Sequence, residues 1–169
     1  DHGRCSNARP YSRSAIATVG AVEVPLDQAS SFGVIEVDDD GRVLAFHEKP
    51  ADPKPVPGKP DKALVNMGVY CFDTDGLVRA LAADYRLETK HDFGHDILPS
   101  LVAGGRVYAY PFVDENKKET LYWRDVGTLD SYYEASMDLI AVDPIFNLYD
   151  VDWPIRTMPQ QLPPAKFVF

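Results

Sequence analysis

Residues 32–50, FGVIEVDDDGRVLAFHEKP, contain two strand-like apolar runs on either side of a short acidic turn. The runs at 32–37 and 42–48 are each long enough for a strand, and the Asp40-Gly41 pair between them is a strong hairpin signal. Pro50 has no backbone N–H to donate to a strand ladder, so it ends the second strand. The segment therefore predicts an antiparallel hairpin within a sheet.

Strands and helices alternate around this hairpin. Apolar, β-branched runs predict strands at 15–24, 64–72 and 106–113. Apolar residues at helical spacing predict helices at about 74–83, 94–103 and 128–140. The residues expected to cap or end the first two helices are Asp73 or Thr74, and the pair Gly104-Gly105. The alternation indicates an α/β domain with a mixed sheet and flanking helices, in which the hairpin is the antiparallel part.

The strand predicted at 64–72 has two unlike faces. Its apolar face is expected to lie in the core and consists of Val65, Met67, Val69 and Cys71. The other face carries Asn66, Gly68 and Tyr70, a small, polar and open stretch. Glycine inside a strand marks either the close approach of a ligand or a bulge, and both interpretations stay open. The inward residues expected in the helix that follows are Leu77, Val78 and Leu81.

The composition is that of a globular protein and argues against several classes. The 169 residues, 45% of them hydrophobic, are enough for one domain with a core. A net charge of -9 argues against a general nucleic-acid binder. No apolar run reaches the roughly 20 residues that a membrane span needs. Two cysteines are too few for a disulfide framework, which fits a cytoplasmic protein.

Residues 122–128, YWRDVGT, place an acid in a position where ligands often bind. The aromatic residues predict a strand, Gly127 a turn, and Thr128 the cap of the next helix. In an α/β sheet this puts Asp125 in the crevice beyond the carboxyl end of a strand. Asp125 could bind a metal, bind a sugar hydroxyl or support the turn.

Two further charged residues have both a functional and a structural interpretation. Lys49 stands at the end of a predicted strand, where it could pair with a phosphate or be a solvated surface lysine. Asp92 precedes a predicted helix, where it could accept hydrogen bonds from a sugar or cap the helix. His91 and His95 are four residues apart, but no third ligand is near them in sequence, which disfavours a metal site there.

Glycine-rich nucleotide-binding motifs are absent from these 169 residues. The chain contains neither G-x-x-x-x-G-K-[ST] nor G-x-G-x-x-G, and no G-x-S-x-G element. A glycine-rich loop that cradles a triphosphate is therefore not expected within this chain.

Seven short motifs occur in an order that resembles bacterial ADP-glucose pyrophosphorylase, also called glucose-1-phosphate adenylyltransferase. They are FGV at 32–34, EKP at 48–50, NMGVY at 66–70, HDFG at 91–94, YWRDVGT at 122–128, WPIRT at 153–157 and PPAKFV at 163–168. EKP is shared by many sugar-phosphate nucleotidyltransferases, whereas YWRDVGT, WPIR and PPAKFV are much narrower. The resemblance covers about residue 18 to the end of the chain.

This resemblance implies a fold and a reaction. The fold is a Rossmann-like, glycosyltransferase-A-like nucleotidyltransferase domain, followed by a β-helix domain. The reaction joins ATP and glucose 1-phosphate to give ADP-glucose and pyrophosphate, with Mg²⁺ as cofactor, in glycogen or α-glucan synthesis. It also implies a homo-oligomer, a tetramer in the family. Residues 1–141 would form the sugar-phosphate-binding part, with 1–31 atypical, and residues 142–169 an extended connector.

The resemblance also implies roles for individual residues. Lys49 matches the lysine that holds the phosphate of glucose 1-phosphate and Asp125 a metal-binding aspartate, and both are implied to be catalytic. The implied sugar-binding residues are Glu48, Asn66, Gly68, Tyr70, Asp92, Phe93 and Trp123. Asp1 matches the second metal ligand. The family usually has serine where Asn66 stands, so that contact is expected to be changed or replaced.

Other interpretations remain. The family's ATP-binding segment would lie before Asp1 and its β-helix domain after Phe169, so this chain alone is expected to be inactive. One alternative is an enzyme of the same superfamily that uses another sugar phosphate or another nucleotide. Another is a non-catalytic module that binds a full-length subunit, which the atypical residues 1–31 favour. A truncated product without a function of its own is the third.

Overall fold

The computed structural model describes residues 15–112 and 122–145, together with Leu148 and Val151. The chain divides into two compact units, Asp1–Trp123 and Arg124–Phe169. Among the described residues, no helix is long and apolar enough to cross a membrane.

The first unit contains a five-stranded mixed sheet, as predicted. Its strands are β1 (Ala17–Pro25), β2 (Gly33–Val37), β3 (Val43–Glu48), β4 (Lys62–Phe72) and β5 (Val107–Pro111). Their order across the sheet is β3-β2-β4-β1-β5. β1 pairs with β5 in parallel, whereas its pairing with β4 and the pairings of β2 with β3 and β4 are antiparallel. The hairpin of β2 and β3 closes through Asp38, whose carboxylate accepts the backbone N–H groups of Asp40 and Arg42.

Short helices connect these strands. α1 covers Thr74–Asp84, a single π-helical turn covers Phe93–Ile97, and α2 covers Leu98–Ala103. Asp73 caps α1 by accepting the N–H of Gly76, which confirms the predicted cap. α2 ends at Gly104, and Gly105 has a positive φ of 70° that L-residues adopt rarely.

The core lies on both faces of the sheet. On one face, Leu98 of α2 packs into a cluster with strand residues that include Val19, Phe46 and Val107. The cluster on the other face is smaller, and there Val34 and Val65 pack with Ala29 from the 3-10 turn Leu26–Ser31. Burial of these branched side chains stabilises the unit by roughly 1.5–3 kcal/mol for each fully buried side chain.

The predicted apolar face of β4 is only half correct. Val65 is buried and Met67 packs beside it, but Val69 is 59% exposed and Cys71 is exposed as well. The reason is a bulge in β4, where the register against β1 shifts between Val19 and Ala21. Beyond this bulge, no described residue of β4 joins the cluster that contains Val34, Val65 and Ala29.

The predicted inward face of α1 is also wrong for two residues. Val78 and Leu81 are 59% and 41% exposed. α1 instead approaches the sheet through its first turn, where Gly76 is buried against Ile16. The helical spacing of the apolar residues is real, but the described part of the chain places no layer against them.

Residues 122–127 form no strand, which corrects the prediction for this segment. The aromatic residues that suggested a strand contribute to packing, since the Trp123 ring lies edge-on to Phe32 with centroids 5.4 Å apart. In the second unit, α3 covers Leu129–Leu139 and is capped by Thr128, which forms a capping box with Ser131. Residues 142–145 form no helix or strand, and most of the predicted connector lies outside the described residues.

Candidate functional site

The carboxylate of Glu48 sits in a space that two glycines leave open. Glu48 ends β3 and pairs in register with Gly33 of β2. A β-carbon would lie 2.9 Å from Glu48 Oε2 if placed on Gly33, and 2.6 Å if placed on Gly94. Real β-carbons essentially never come so close, so both positions require glycine if Glu48 is to keep this place. A half-buried carboxylate is thereby presented where β3 ends.

Asp92 brings a second carboxylate to the same place. Its Oδ1 lies 3.3 Å from the point where a β-carbon on Gly94 would stand, so the carboxylates of Glu48 and Asp92 flank one glycine. Asp92 Oδ1 also accepts the backbone N–H of His95, at 2.8 Å. The capping interpretation of Asp92 is therefore confirmed. Hydrogen bonds from His95, first from its backbone and then from its ring, lower the pKa of Asp92 and keep it ionised.

Three aromatic rings pack beside these carboxylates. Tyr70 and Phe93 are stacked, with ring centroids 5.7 Å apart and an angle of 16° between their planes. Phe72 packs against both rings. Burial raises the pKa of Tyr70, and the negative charges of Glu48 and Asp92 raise it further. The phenol is therefore neutral near pH 7 and can act as a hydrogen-bond donor.

The polar stretch of β4 is the bulge itself. Gly68 has a φ of 76°, in the left-handed region that glycine adopts without strain. Its N–H donates to Asn66 Oδ1 at 2.9 Å, and Asn66 Nδ2 donates to the Tyr70 hydroxyl at 2.7 Å. Of the two interpretations left open for this glycine, the bulge is confirmed.

Lys49 follows Glu48 directly and has an unusual backbone. Its φ is 48°, a left-handed value that costs a residue other than glycine of order 1 kcal/mol or more. Its N–H donates to the carbonyl of Phe32, whose ring contacts Trp123. Among the described residues, no carboxylate lies within ion-pair distance of the Lys49 ammonium. The exposed lysine is thus held at the strand end with its charge available.

His91 and His95 form hydrogen bonds with different carboxylates. His91 Nδ1 lies 2.7 Å from Asp84 Oδ2, and Thr89 donates to the other oxygen of the same aspartate. His95 Nδ1 lies 3.1 Å from Asp92 Oδ1. Within the described ranges, no three His, Cys, Asp or Glu side chains are grouped to hold a metal. A metal shared by His91 and His95 is therefore not supported.

The His91 contact is one that the sequence analysis missed. His91 has a φ of 56° and is, with Lys49, one of two described non-glycine residues in the left-handed region. It stands immediately before Asp92, and its ring is tied to Asp84 at the end of α1. A histidine seven residues after an aspartate is not a recognisable signal, whereas Gly33 and Gly94 beside predicted site residues could have pointed to the space around Glu48.

Asp125 belongs to the second unit and is described within it. A β-carbon on Gly127 would lie 3.0 Å from Asp125 Oδ2, so the carboxylate sits close to the turn that precedes α3. The neighbouring Arg124 bonds Glu134 and Asp138 of that helix. Asp1 lies outside the described residues. The first unit thus brings together Glu48, Asn66, Gly68, Tyr70, Asp92 and Phe93, and Lys49 follows Glu48 directly. Trp123 packs with Phe32 on the cluster of Val34 and Val65, whereas Tyr70 packs on the cluster of Leu98.

Comparison with known proteins identifies the family of this chain. Residues 5–142 match the sequence model of the family described as "Nucleotidyl transferase". Glucose-1-phosphate adenylyltransferase 2 of Alkalilimnicola ehrlichii is 52% identical over 162 residues, which are 96% of this chain and 38% of the relative. The glucose-1-phosphate adenylyltransferase of Thermus thermophilus is 51% identical over 164 residues, which are 94% of this chain and 40% of that enzyme. The chain therefore spans about two fifths of the length of these relatives.

Proposed function

We propose that this chain, which belongs to the nucleotidyl transferase family, forms the sugar-phosphate-binding part of a glucose-1-phosphate adenylyltransferase. The enzyme would join ATP and glucose 1-phosphate to give ADP-glucose and pyrophosphate. Two similar proteins, from Alkalilimnicola ehrlichii and Thermus thermophilus, carry this enzyme's name. The observation that carries the proposal is the convergence of the Glu48 and Asp92 carboxylates on Gly94, beside the stacked rings of Tyr70 and Phe93.

These groups suit a sugar. Ionised carboxylates only accept hydrogen bonds, and sugar hydroxyls donate them. The lowered pKa of Asp92 keeps that residue an acceptor throughout the neutral range. The faces of Tyr70 and Phe93 supply apolar surface for the C–H groups of the sugar ring, and Trp123 is proposed as a wall of the same pocket. Sites for small polar ligands commonly combine such surfaces with a few well-placed polar groups.

Lys49 would hold the phosphate. Its ammonium is a compact point charge, and none of the described carboxylates forms an ion pair with it. The sugar phosphate is the nucleophile that attacks the α-phosphate of ATP in line. Lys49 would position this phosphate and offset its charge, so the contribution to the rate is placement and electrostatic stabilisation, without a covalent intermediate.

Magnesium is the proposed cofactor, with Asp125 and Asp1 as its ligands. Carboxylate oxygens are the ligand type that Mg²⁺ prefers, and Mg²⁺ usually takes only one or two of them, together with water and substrate phosphates. Asp125 fits this requirement by its chemistry, since its carboxylate is exposed. When bound, the metal would neutralise phosphate charge. The residues of this chain would orient the sugar phosphate whether or not the metal is present.

Calorimetric titration with glucose 1-phosphate, with and without Mg²⁺, tests the proposal. We expect saturable binding by the 169-residue chain that is lost in Lys49→Ala. Lys59→Ala is the matched control, because that exposed lysine pairs with Glu23 instead. Equal binding by both variants would contradict the role of Lys49. No binding by the unmutated chain, once circular dichroism shows that it is folded, would contradict the proposed site and favour an assembly module or an inert fragment.

A further inference from the structure

The carboxamide of Asn66 spans the bulge of β4 and touches both of its sides. Its oxygen faces the N–H of Gly68 at 2.9 Å, and its nitrogen faces the hydroxyl of Tyr70 at 2.7 Å. The orientation follows from chemistry, because a backbone N–H can only donate and must therefore meet the oxygen. The NH₂ group is then the one that faces Tyr70.

This orientation decides what the Tyr70 hydroxyl can do. Its oxygen accepts a hydrogen bond from Asn66, which leaves the phenolic hydrogen available for a different acceptor. The ring cannot swing away freely, because Tyr70 is half-buried and stacked on Phe93. The hydroxyl is thus a donor of fixed direction, in the same neighbourhood as Glu48 and Asp92.

We propose that Asn66 is a positioning residue that aims the Tyr70 hydroxyl, as a donor, at the bound sugar phosphate. Asn66 acts through Tyr70 and does not make the sugar contact expected at its position. This inference rests on the proposed function, because it concerns the same ligand.

The asparagine side chain suits this role. It carries separate acceptor and donor atoms, and both are engaged here, with Gly68 and Tyr70. One side chain therefore closes the bulge and also holds the phenol.

The first experiment follows the Tyr70 phenol without any ligand. The chain is labelled with 3-fluorotyrosine, whose phenol ionises at lower pH than that of tyrosine, and is titrated by ¹⁹F NMR. The signal of Tyr70 among the nine tyrosines is assigned with Tyr70→Phe. Asn66→Ala removes a donor that stabilises the phenolate, so the pKa of the phenol should rise. An unchanged pKa in Asn66→Ala would overturn the inference, because Asn66 would then not hold the hydroxyl.

The second experiment measures binding of glucose 1-phosphate in a double-mutant cycle. Asn66→Ala removes the donor that holds the phenol and adds no charge beside the sugar phosphate. We expect binding to weaken roughly three- to tenfold in Asn66→Ala and in Tyr70→Phe, the range for one neutral hydrogen bond. The double variant should bind about as weakly as Tyr70→Phe alone. Multiplying losses would overturn the inference and indicate direct contact by Asn66.

These experiments separate the two proposals. If the folded, unmutated chain does not bind glucose 1-phosphate, the proposed function fails and the ligand contact of Tyr70 fails with it. The ¹⁹F titration would still decide whether Asn66 fixes the phenol. Thermal unfolding of each variant excludes the simpler result that a weaker binder is an unfolded one.

Discussion

The carboxylate of Glu48 occupies the space beside Gly94 where a β-carbon would stand, 2.6 Å from Oε2 and 3.1 Å from the carboxyl carbon. Glu48 ends β3 and Gly94 lies in the π-helical turn, so this contact joins the sheet to the helical layer at the candidate site. Gly94 is buried, and its φ lies outside the left-handed region, so the demand for glycine here is one of space.

Gly94→Ala should therefore damage the site by displacing Glu48. We expect glucose 1-phosphate to bind at least about tenfold more weakly, a change of roughly 1.4 kcal/mol. The free energy of unfolding should fall by less than the usual cost of overpacking, because the nearest atoms belong to the flexible end of the Glu48 side chain. Gly104→Ala is the control for binding, since its φ of -77° suits alanine and it adjoins no site residue. Its β-carbon would lie 3.2 Å from the carbonyl oxygen of Leu101, so its own effect on stability is measured alongside. Normal binding by Gly94→Ala, measured by calorimetry, would show that Glu48 does not need this position.

Stability should depend on pH through Asp92. Hydrogen bonds from His95 hold the pKa of Asp92 below its usual range, so the folded state favours the ionised form. The stabilisation is present above the unfolded-state pKa of about 3.9 and is lost as pH falls through the lower folded-state pKa. Asp92→Asn keeps a good capping residue without the charge. Urea unfolding at pH 7 and near pH 3 should show a smaller loss in Asp92→Asn, and equal losses would contradict this assignment.

Substitutions of His91 should affect stability through the backbone conformation as well as through the hydrogen bond with Asp84. Its φ of 56° favours glycine or asparagine over alanine, and its ring is bonded to Asp84. We expect His91→Ala to lower the free energy of unfolding, and His91→Gly and His91→Asn to lower it less. Urea denaturation ranks the three variants. If alanine were tolerated as well as glycine, the left-handed backbone would not be a source of strain here.

The 169-residue chain should not synthesise ADP-glucose by itself. It contains no glycine-rich triphosphate-binding motif and spans about two fifths of the similar adenylyltransferases, so the groups that place ATP are not expected within it. Pyrophosphate release from ATP and glucose 1-phosphate in the presence of Mg²⁺ measures this directly. Robust turnover by the purified chain would show that these residues suffice for both substrates.

Much of the fold could be predicted because its signals are local. The Asp-Gly turn, the Asp73 cap and the Thr128 cap each depend on residues within a few positions of one another. Backbone hydrogen bonding and side-chain capping at that range are the same in nearly any protein, so a pattern in the chain is enough to recognise them. The mixed sheet followed from the alternation of such elements.

The predictions that failed concern residues whose burial depends on whether another layer packs against their face of a helix or strand. Val69, Val78 and Leu81 have suitable spacing for a core, yet they are exposed, because periodicity says which residues share a face and not whether another layer covers it. Trp123 resembled a strand residue, although its ring packs against Phe32, which is 91 positions earlier in the chain.

The candidate site shows the same division between local and distant information. The chain alone predicted Glu48, Lys49, Tyr70, Asp92 and Phe93 as candidate site residues, through strand ends, helix starts and family motifs. That Glu48 and Asp92 flank Gly94, and that Asn66 holds the Tyr70 hydroxyl across a bulge, emerged only once the chain was folded. The contacts at Gly94 join positions 48 and 92–94, and their geometry is set by how β3 and the π-helical turn pack, which no local spacing encodes.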